Sequence, residues 1–169
     1  TIRLGYADVI FRKCKKCKGK DQYTTLEKCP KCEGATEPIR KISLIDAPGH
    51  ESLMATMLAG STIMDGAMLL VAANETCPQP QTREHLMALE IMGVKNVIVI
   101  QNKIDLVKEE RALRNFKQIK EFLSDTAYKD APIIPISAVH GINVGAIIEK
   151  VQEMIKTPKR DTKAEPLMY

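Results

Sequence analysis

The sequence predicts an α/β domain with a doubly wound, mostly parallel sheet, because short apolar runs alternate with amphipathic helical patterns along the chain. Apolar runs of this length are typical of parallel strands, whose two faces are both covered by helices. In such sheets ligands bind beyond the carboxyl ends of the strands. We expect the strands at Ile39–Ile45, Ala67–Ala73, Val97–Ile100 and Pro132–Ile136, after a first strand-like segment at Ile2–Phe11.

Four helical patterns separate or follow these runs. The first is His50–Leu58, and the second is Gln81–Met92, which ends before Gly93. The third ends at Leu123, and Asn143 is positioned to cap the fourth. The expected apolar faces of the last three are Leu86, Leu89 and Ile91 or Met92; then Leu113, Phe116, Ile119 and Leu123; then Ile147, Ile148, Val151 and Ile155.

Composition limits the class of protein. A chain of 169 residues with 44% hydrophobic and 27% charged residues fits one globular domain. Its longest apolar stretch, Ala67–Ala73, is too short to span a membrane, and no leader is recognisable, so we expect a cytoplasmic protein with no membrane partner. Residues 1–41 hold 11 Lys or Arg and 5 acidic residues, whereas the remainder holds 14 and 16. The positive charge therefore surrounds four of the five cysteines.

Asn102-Lys103-Ile104-Asp105 directly follows a predicted strand, and its chemistry indicates recognition of guanine. Guanine offers two N–H donors on its Watson–Crick edge, and one carboxylate such as Asp105 accepts both. Adenine lacks this donor pair, so ATP should be rejected. We expect Asn102 to bond the opposite edge and the stem of Lys103 to cover the base plane. Downstream, Ser137, Ala138 and Val139 form the loop whose Ala138 N–H is expected to reach the exocyclic oxygen.

Asp46-Ala47-Pro48-Gly49 indicates the phosphate side of a nucleotide site. Asp46 ends an apolar run, as does the acidic residue that holds Mg²⁺ in phosphate-loop nucleoside triphosphatases. Gly49 lets its N–H approach a γ-phosphate, and His50 is placed to orient the attacking water. Asp-x-Pro-Gly alone is a common turn, so this interpretation depends on the guanine motif beside it.

The phosphate-binding loop is missing from this sequence. Its single Gly-Lys pair, Gly19-Lys20, is followed by Asp21, and Cys14 stands where the first glycine of the loop belongs. We therefore expect the loop to precede Thr1 in the parent protein.

Cys14-Lys-Lys-Cys17 and Cys29-Pro-Lys-Cys32 have the spacing of a tetrahedral Cys₄ zinc site. A cytosolic setting argues against disulfides between them. The expected role of the metal is structural, because four thiolates leave no open position and stabilise a small loop without a core of its own. The surrounding lysines offset the thiolate charge or touch RNA or a partner, and the sequence does not decide between these.

Together these motifs resemble a known family. Translational GTPases such as elongation factor Tu share Asp46-x-Pro-Gly49-His50, Asn102-Lys103-x-Asp105 and Ser137-Ala138. The cysteine-rich insert before Asp46 points to the gamma subunit of archaeal and eukaryotic translation initiation factor 2, which the chain resembles over essentially all of its length. Segments at 46–51, 77–82 and 158–160 also look like that family.

The resemblance implies a GTP-dependent carrier of initiator methionyl-tRNA to the small ribosomal subunit, acting with alpha and beta subunits as a heterotrimer. It implies GTP and GDP, Mg²⁺ and Zn²⁺ as ligands, with Thr1 and Asp46 at the magnesium and with His50 and Gly49 in hydrolysis. GTPase-activating and exchange factors are further expected partners. The implied translational-GTPase fold has its GTP-binding domain at 1–157, a zinc insert at 12–36, and a linker to a β-barrel domain at 158–169.

Other interpretations stay open at this point. The chain is alternatively a selenocysteine-specific or Tu-like elongation factor, or a zinc-ribbon RNA-binding module that has lost nucleotide chemistry. A small signalling GTPase is disfavoured by the zinc insert and by the linker at the end.

Overall fold

The computed structural model describes residues 5–46 and 64–157. Its elements are β1 (Gly5–Cys14), β2 (Tyr23–Thr24), β3 (Thr36–Asp46), β4 (Ala67–Ala72), α1 (Pro80–Ile91), β5 (Val97–Asn102), α2 (Glu109–Leu123), β6 (Ile133–Pro135) and α3 (Val144–Met154). Two 3-10 turns, Gly19–Gln22 and Ile104–Leu106, precede β2 and α2 respectively. The predicted helix at His50–Leu58 and the predicted linker lie outside the described residues.

A parallel sheet of order β4-β5-β6 forms the centre of the described structure. Its middle strand is β-branched and buried, as expected for a strand with both faces covered. Val97 and Val99 face α1 and α2, whereas Ile98 and Ile100 face α3 and β1. Helices thus pack on both faces of the sheet, and the predicted doubly wound α/β class is confirmed.

Two helices cover one face of this sheet. Helix α1 starts with Pro80 in its first turn and ends before Gly93, whose φ of +66° suits a glycine after a helix. The prediction left Ile91 or Met92 open for its apolar stripe, and Met92 packs on the core whereas Ile91 is exposed. In α2 the predicted Leu113 is also exposed. The buried stripe of α2 is Asn115, Ile119 and Leu123, at helical i, i+4 spacing.

The N-terminal strands form a separate antiparallel sheet of order β2-β1-β3. β1 and β3 pair along their length, from Gly5 opposite Asp46 to Cys14 opposite Thr36. The sequence suggested a buried parallel strand over Ile39–Ile45, but this segment is antiparallel to β1, and its residues are exposed or half-buried rather than buried. The insert folds as a hairpin that returns β3 beside β1, and this proximity accounts for the pairing. Phe11 joins this sheet to the core of the parallel one.

None of the described helices is both long and apolar enough to cross a lipid bilayer.

Candidate functional site

The guanine motif begins where β5 ends. Asn102 is the last residue of this strand, and Lys103 turns the chain sharply with a positive φ of 64°. The Asn102 side-chain oxygen accepts the Lys103 N–H at 2.8 Å and the Ala138 N–H at 3.1 Å. One amide oxygen therefore joins two motifs that lie 36 residues apart in sequence. Asn102 and Lys103 also border an open cavity of about 840 Å³ beside β4 and α1.

Asp105 lies on the same surface and is held by Ser137. The Ser137 hydroxyl donates to the Asp105 carboxylate, and this hydrogen bond lowers the pKa of Asp105. His140 Nε2 lies 4.0 Å from Asp105 Oδ2 and lowers this pKa further when protonated. Ser137 itself is fully buried. The arrangement keeps the carboxylate ionised near neutral pH, which a pair of N–H donors requires of its acceptor.

The downstream motif folds as a closed loop. Ser137 N–H donates to Ile142 O at 3.3 Å, and Ile142 N–H donates back to Ser137 O at 3.0 Å. Gly141 has a φ of +66° at the turn, which a glycine adopts without strain. Ala138 is exposed and Val139 is 86% exposed at the tip. The Ala138 N–H, which the sequence predicts to reach the exocyclic oxygen of guanine, is donated to Asn102 in this structure.

A buried pair of amides lies directly beneath the guanine motif, and the sequence reasoning did not identify it. Gln101 is 1% exposed and donates to Ala112 O and to Asn115 Oδ1, both at 2.8 Å. Asn115 is fully buried and donates in turn to Glu75 O at 2.8 Å and more weakly to Ala72 O at 3.4 Å. The pair therefore connects the end of β5 to α2 and to the segment after β4. A glutamine in an apolar strand and an asparagine on a buried helical stripe were the signals available.

The predicted phosphate side is only partly described. Asp46 is the last residue of β3, pairs with Gly5 and is exposed. Among the described residues it makes no hydrogen bond to the guanine motif. Gly49, His50 and Thr1, the other residues predicted for the phosphate and magnesium, lie outside the described part of the chain.

The four predicted zinc ligands come together at the tip of the β1–β3 hairpin. Their sulfur atoms all lie within 4.8 Å of one another, with Cys14 and Cys32 at 3.4 Å and Cys17 and Cys29 at 3.7 Å. Four sulfurs at about 2.3 Å from a tetrahedral zinc ion are about 3.8 Å apart, so the cluster has the dimensions of such a site. None of the four forms a disulfide.

Main-chain donors favour the thiolate form at the first cysteine of each pair. The Lys31 N–H lowers the pKa of Cys29 to about 7, and the Lys16 N–H lowers the pKa of Cys14. By contrast, the hydrogen bond that Cys17 makes with Cys32 raises the pKa of Cys17 to about 12. Thiolates are the form that binds metal. The main-chain N–H groups after Cys14 and Cys29 therefore favour the metal-binding form of two of the four cysteines. The donor set fits a structural zinc ion.

The hairpin that carries the cysteines is stabilised at its base by Thr36. Arg12 donates from Nε to the Thr36 hydroxyl at 2.9 Å and from its terminal nitrogen to Thr36 O at 3.1 Å. The buried Thr36 hydroxyl donates to Leu26 O at 2.7 Å. These contacts hold β1 and β3 together next to the insert. They therefore restrict the positions of the cysteines that the insert carries.

Comparison with known proteins gives the family of this chain. The family model described as the elongation factor Tu GTP-binding domain matches residues 18–157. Translation initiation factor 2 subunit gamma from Methanothermobacter thermautotrophicus is 59% identical over 169 residues, which are 100% of this chain and 41% of the relative. The same subunit from Pyrococcus furiosus is 55% identical over 168 residues, or 99% and 40%. The chain spans about two fifths of the length of these curated relatives.

Solved structures give the same fold. The elongation factor SelB from Methanococcus maripaludis, in complex with the GTP analogue GppNHp, has a TM-score of 0.63 and 32% identity over 73% of this chain and 28% of that chain. A bacterial selenocysteine-specific elongation factor has a TM-score of 0.67 and 26% identity over 91% of this chain and 22% of that one.

Proposed function

Because this chain belongs to the elongation factor Tu GTP-binding domain family, we propose that it is the guanine-nucleotide-binding domain of a translation initiation factor 2 gamma subunit. The observation that carries the proposal is the convergence of Asn102, Asp105 and the Ser137–Ile142 loop at the end of β5. Full-length similarity of the chain to gamma subunits, at 54–59% identity, supports the specific assignment.

In this proposal Asp105 accepts two N–H groups from the guanine edge. The Asn102 amide bonds the other edge, and Ala138 N–H reaches the exocyclic oxygen beside Val139. The stem of Lys103 covers the base plane. Adenine presents an amino group where guanine has that oxygen, so it meets a donor with a donor and leaves the Asp105 carboxylate without its pair of partners.

Exchange of Asp105 for Asn tests the base site directly. An amide presents one donor and one acceptor, and this pattern matches xanthine better than guanine. We expect Asp105→Asn in the full-length protein to lose GDP affinity by at least about 100-fold and to gain affinity for xanthosine diphosphate. Asp125→Asn, which changes an exposed carboxylate just after α2, is the matched control. Unchanged GDP affinity in Asp105→Asn would remove Asp105 from the site.

The phosphate side of the proposal rests on sequence. Asp46 and Thr1 bind Mg²⁺, Gly49 senses the γ-phosphate, and His50 positions the water for GTP hydrolysis. A Gly-x₄-Gly-Lys-Ser/Thr loop upstream of Thr1 binds the β-phosphate. We expect the full-length protein to bind GDP tightly and this chain alone to bind it poorly, and equal affinity would contradict the upstream loop. His50→Ala should keep GTP binding and lose stimulated hydrolysis.

The cysteine cluster binds a structural Zn²⁺ in this proposal, through Cys14, Cys17, Cys29 and Cys32. Its geometry and its free thiols support a closed site without an open coordination position. The metal stabilises the tip of the β1–β3 hairpin, where the described residues provide little apolar core.

At the level of the whole protein, we propose delivery of initiator methionyl-tRNA to the small ribosomal subunit in the cytoplasm. The partners are alpha and beta subunits of the same factor, with GTPase-activating and exchange factors. The full-length protein with GTP should retain methionyl initiator tRNA on a filter, and exchange for GDP should release it. Equal retention in both nucleotide states would contradict nucleotide-dependent delivery.

A selenocysteine-specific elongation factor is the second candidate, because the similar solved structures include a bacterial protein of that description. Preference for selenocysteyl-tRNA over methionyl initiator tRNA in the same filter assay would favour it. The higher identity to gamma subunits makes the initiation factor our first proposal.

A further inference from the structure

The 3-10 turn within the cysteine insert is packed against the start of α3. Lys20, in the 3-10 turn Gly19–Gln22, donates from Nζ to Asn143 Oδ1 at 2.8 Å. These residues are 123 positions apart, and Asn143 directly follows the loop of the predicted guanine site. The contact therefore connects the metal-binding insert to the guanine-binding loop.

Gly145 makes this approach possible. A Cβ at position 145 would lie 2.2 Å from Lys20 O and 3.0 Å from Tyr23 O, both main-chain atoms. No side chain fits there without moving the backbone of the insert. The two segments are thus in direct backbone contact, and the Lys20 side chain adds a polar bond at the edge of that contact.

Asn143 connects both ends of the guanine-binding loop. The sequence predicts it as a helix cap, but its side chain makes no capping bond, and its φ is 61°. Instead its Nδ2 donates to Pro135 O at 2.9 Å, at the end of β6, while its Oδ1 accepts from Lys20. Asn143 is itself the residue that follows the loop. Its side chain therefore links the end of the loop to Pro135, at the end of the strand before the loop, and to Lys20 in the insert.

The turn that carries Lys20 is itself held to the second cysteine pair. Lys31, which lies between Cys29 and Cys32, forms an ion pair with Asp21. Tyr23, just after the turn, packs on the core that contains Ile98 and Ile148. The turn is therefore fixed on two sides before it meets Asn143.

We propose that Lys20 and Asn143 are positioning residues for guanine recognition, which hold the Ser137–Ile142 loop in its base-binding conformation. The inference rests on the proposed function of that loop. The loop is short and its tip is exposed, so a conformation fixed in advance lowers the entropy lost on binding the base. The cysteine insert thereby contributes to nucleotide affinity without touching the nucleotide.

The test compares single-residue variants of the full-length protein. Lys20→Met removes the donor and keeps most of the apolar stem, and Lys20→Arg restores a donor. Lys18→Met is the matched control, because Lys18 is an exposed lysine of the same insert without a hydrogen bond or ion pair to the described residues. Two quantities are measured for each: amide hydrogen exchange of segment 137–143 without nucleotide, and the dissociation constant of fluorescently labelled GDP.

We expect Lys20→Met to speed exchange in segment 137–143 and to raise the dissociation constant about three- to tenfold, as loss of one hydrogen bond from the binding-competent state predicts. Lys20→Arg should recover most of both effects, and Lys18→Met should change neither. Asn143→Ala should give at least the effect of Lys20→Met, because it also frees Pro135 O.

Unchanged exchange in segment 137–143 for both Lys20→Met and Asn143→Ala would overturn the proposal. An effect of Lys18→Met equal to that of Lys20→Met would also overturn the proposal, because loss of any positive charge in the insert would then explain both results. Failure of the unmodified protein to bind GDP would instead contradict the proposed function, and the exchange comparison would still test the contact itself.

Discussion

Truncation of Asn115 to alanine should destabilise the sheet beneath the guanine motif by about 2–4 kcal/mol. The side chain is fully buried and bonds Gln101 and the Glu75 carbonyl at 2.8 Å each. Removal leaves one Gln101 N–H without a partner in a site that is 1% exposed, at a cost of about 1–3 kcal/mol. The cavity left by three heavy atoms adds about 1 kcal/mol. Glu75 is exposed, so its carbonyl regains water and contributes little.

Native-state hydrogen exchange at the amides of Ile98, Val99 and Ile100 measures this free energy within the domain itself. Lys117→Ala, on the exposed side of α2, is the control and should change the opening free energy by less than about 0.5 kcal/mol. A loss below about 1 kcal/mol in Asn115→Ala would refute the reasoning. So would strict additivity of Asn115→Ala with Gln101→Ala, since partners in one buried hydrogen bond should be coupled by about 0.5–3 kcal/mol.

Three further predictions follow from single contacts. Ser137→Ala removes the bond that lowers the pKa of Asp105, so the carboxyl titration of Asp105, followed by NMR, should move up towards the ordinary range of an aspartate; an unchanged midpoint would exclude this cause. The unmodified protein keeps the ionised carboxylate until pH falls through the lowered value. Cys29→Ser should lose bound zinc by metal analysis, whereas Cys77→Ser, a buried thiol outside the cluster, should retain it; equal zinc content would contradict the Cys₄ site. Tyr128→Phe deletes a buried hydroxyl that reaches a main-chain carbonyl at 2.9 Å and should cost about 1–2 kcal/mol; a stability equal to the unmodified protein would show that the carbonyl finds another donor.

Much of the central fold was predictable because its signals are local. The apolar run of β5 and the breaks at Pro80 and Gly93 identify a strand and a helix without reference to the rest of the chain. The guanine motif is equally local, since its residues occupy four consecutive positions that begin at the last residue of β5.

The contacts that the sequence did not reveal are long-range. Nothing near Asn143 in sequence indicates Lys20, and the capping role predicted for Asn143 follows from a local rule that the tertiary contact overrides. The exposed Leu113 has a similar cause. Helix α2 presents Asn115 rather than Leu113 to the sheet, where Asn115 bonds Gln101.

The guanine motifs and their supports therefore have different sensitivities to mutation. Asp105 touches the base in our proposal, so its replacement changes which base is bound. Gln101 and Asn115 fix the end of β5 from below, and Lys20 fixes the neighbouring loop from the side. Changes at these supporting residues should weaken the binding of every nucleotide that contacts the loop. They should leave the order of base preference unchanged. A variant of Lys20 that reversed the preference between guanine and xanthine would place that residue in direct contact with the base, contrary to the geometry.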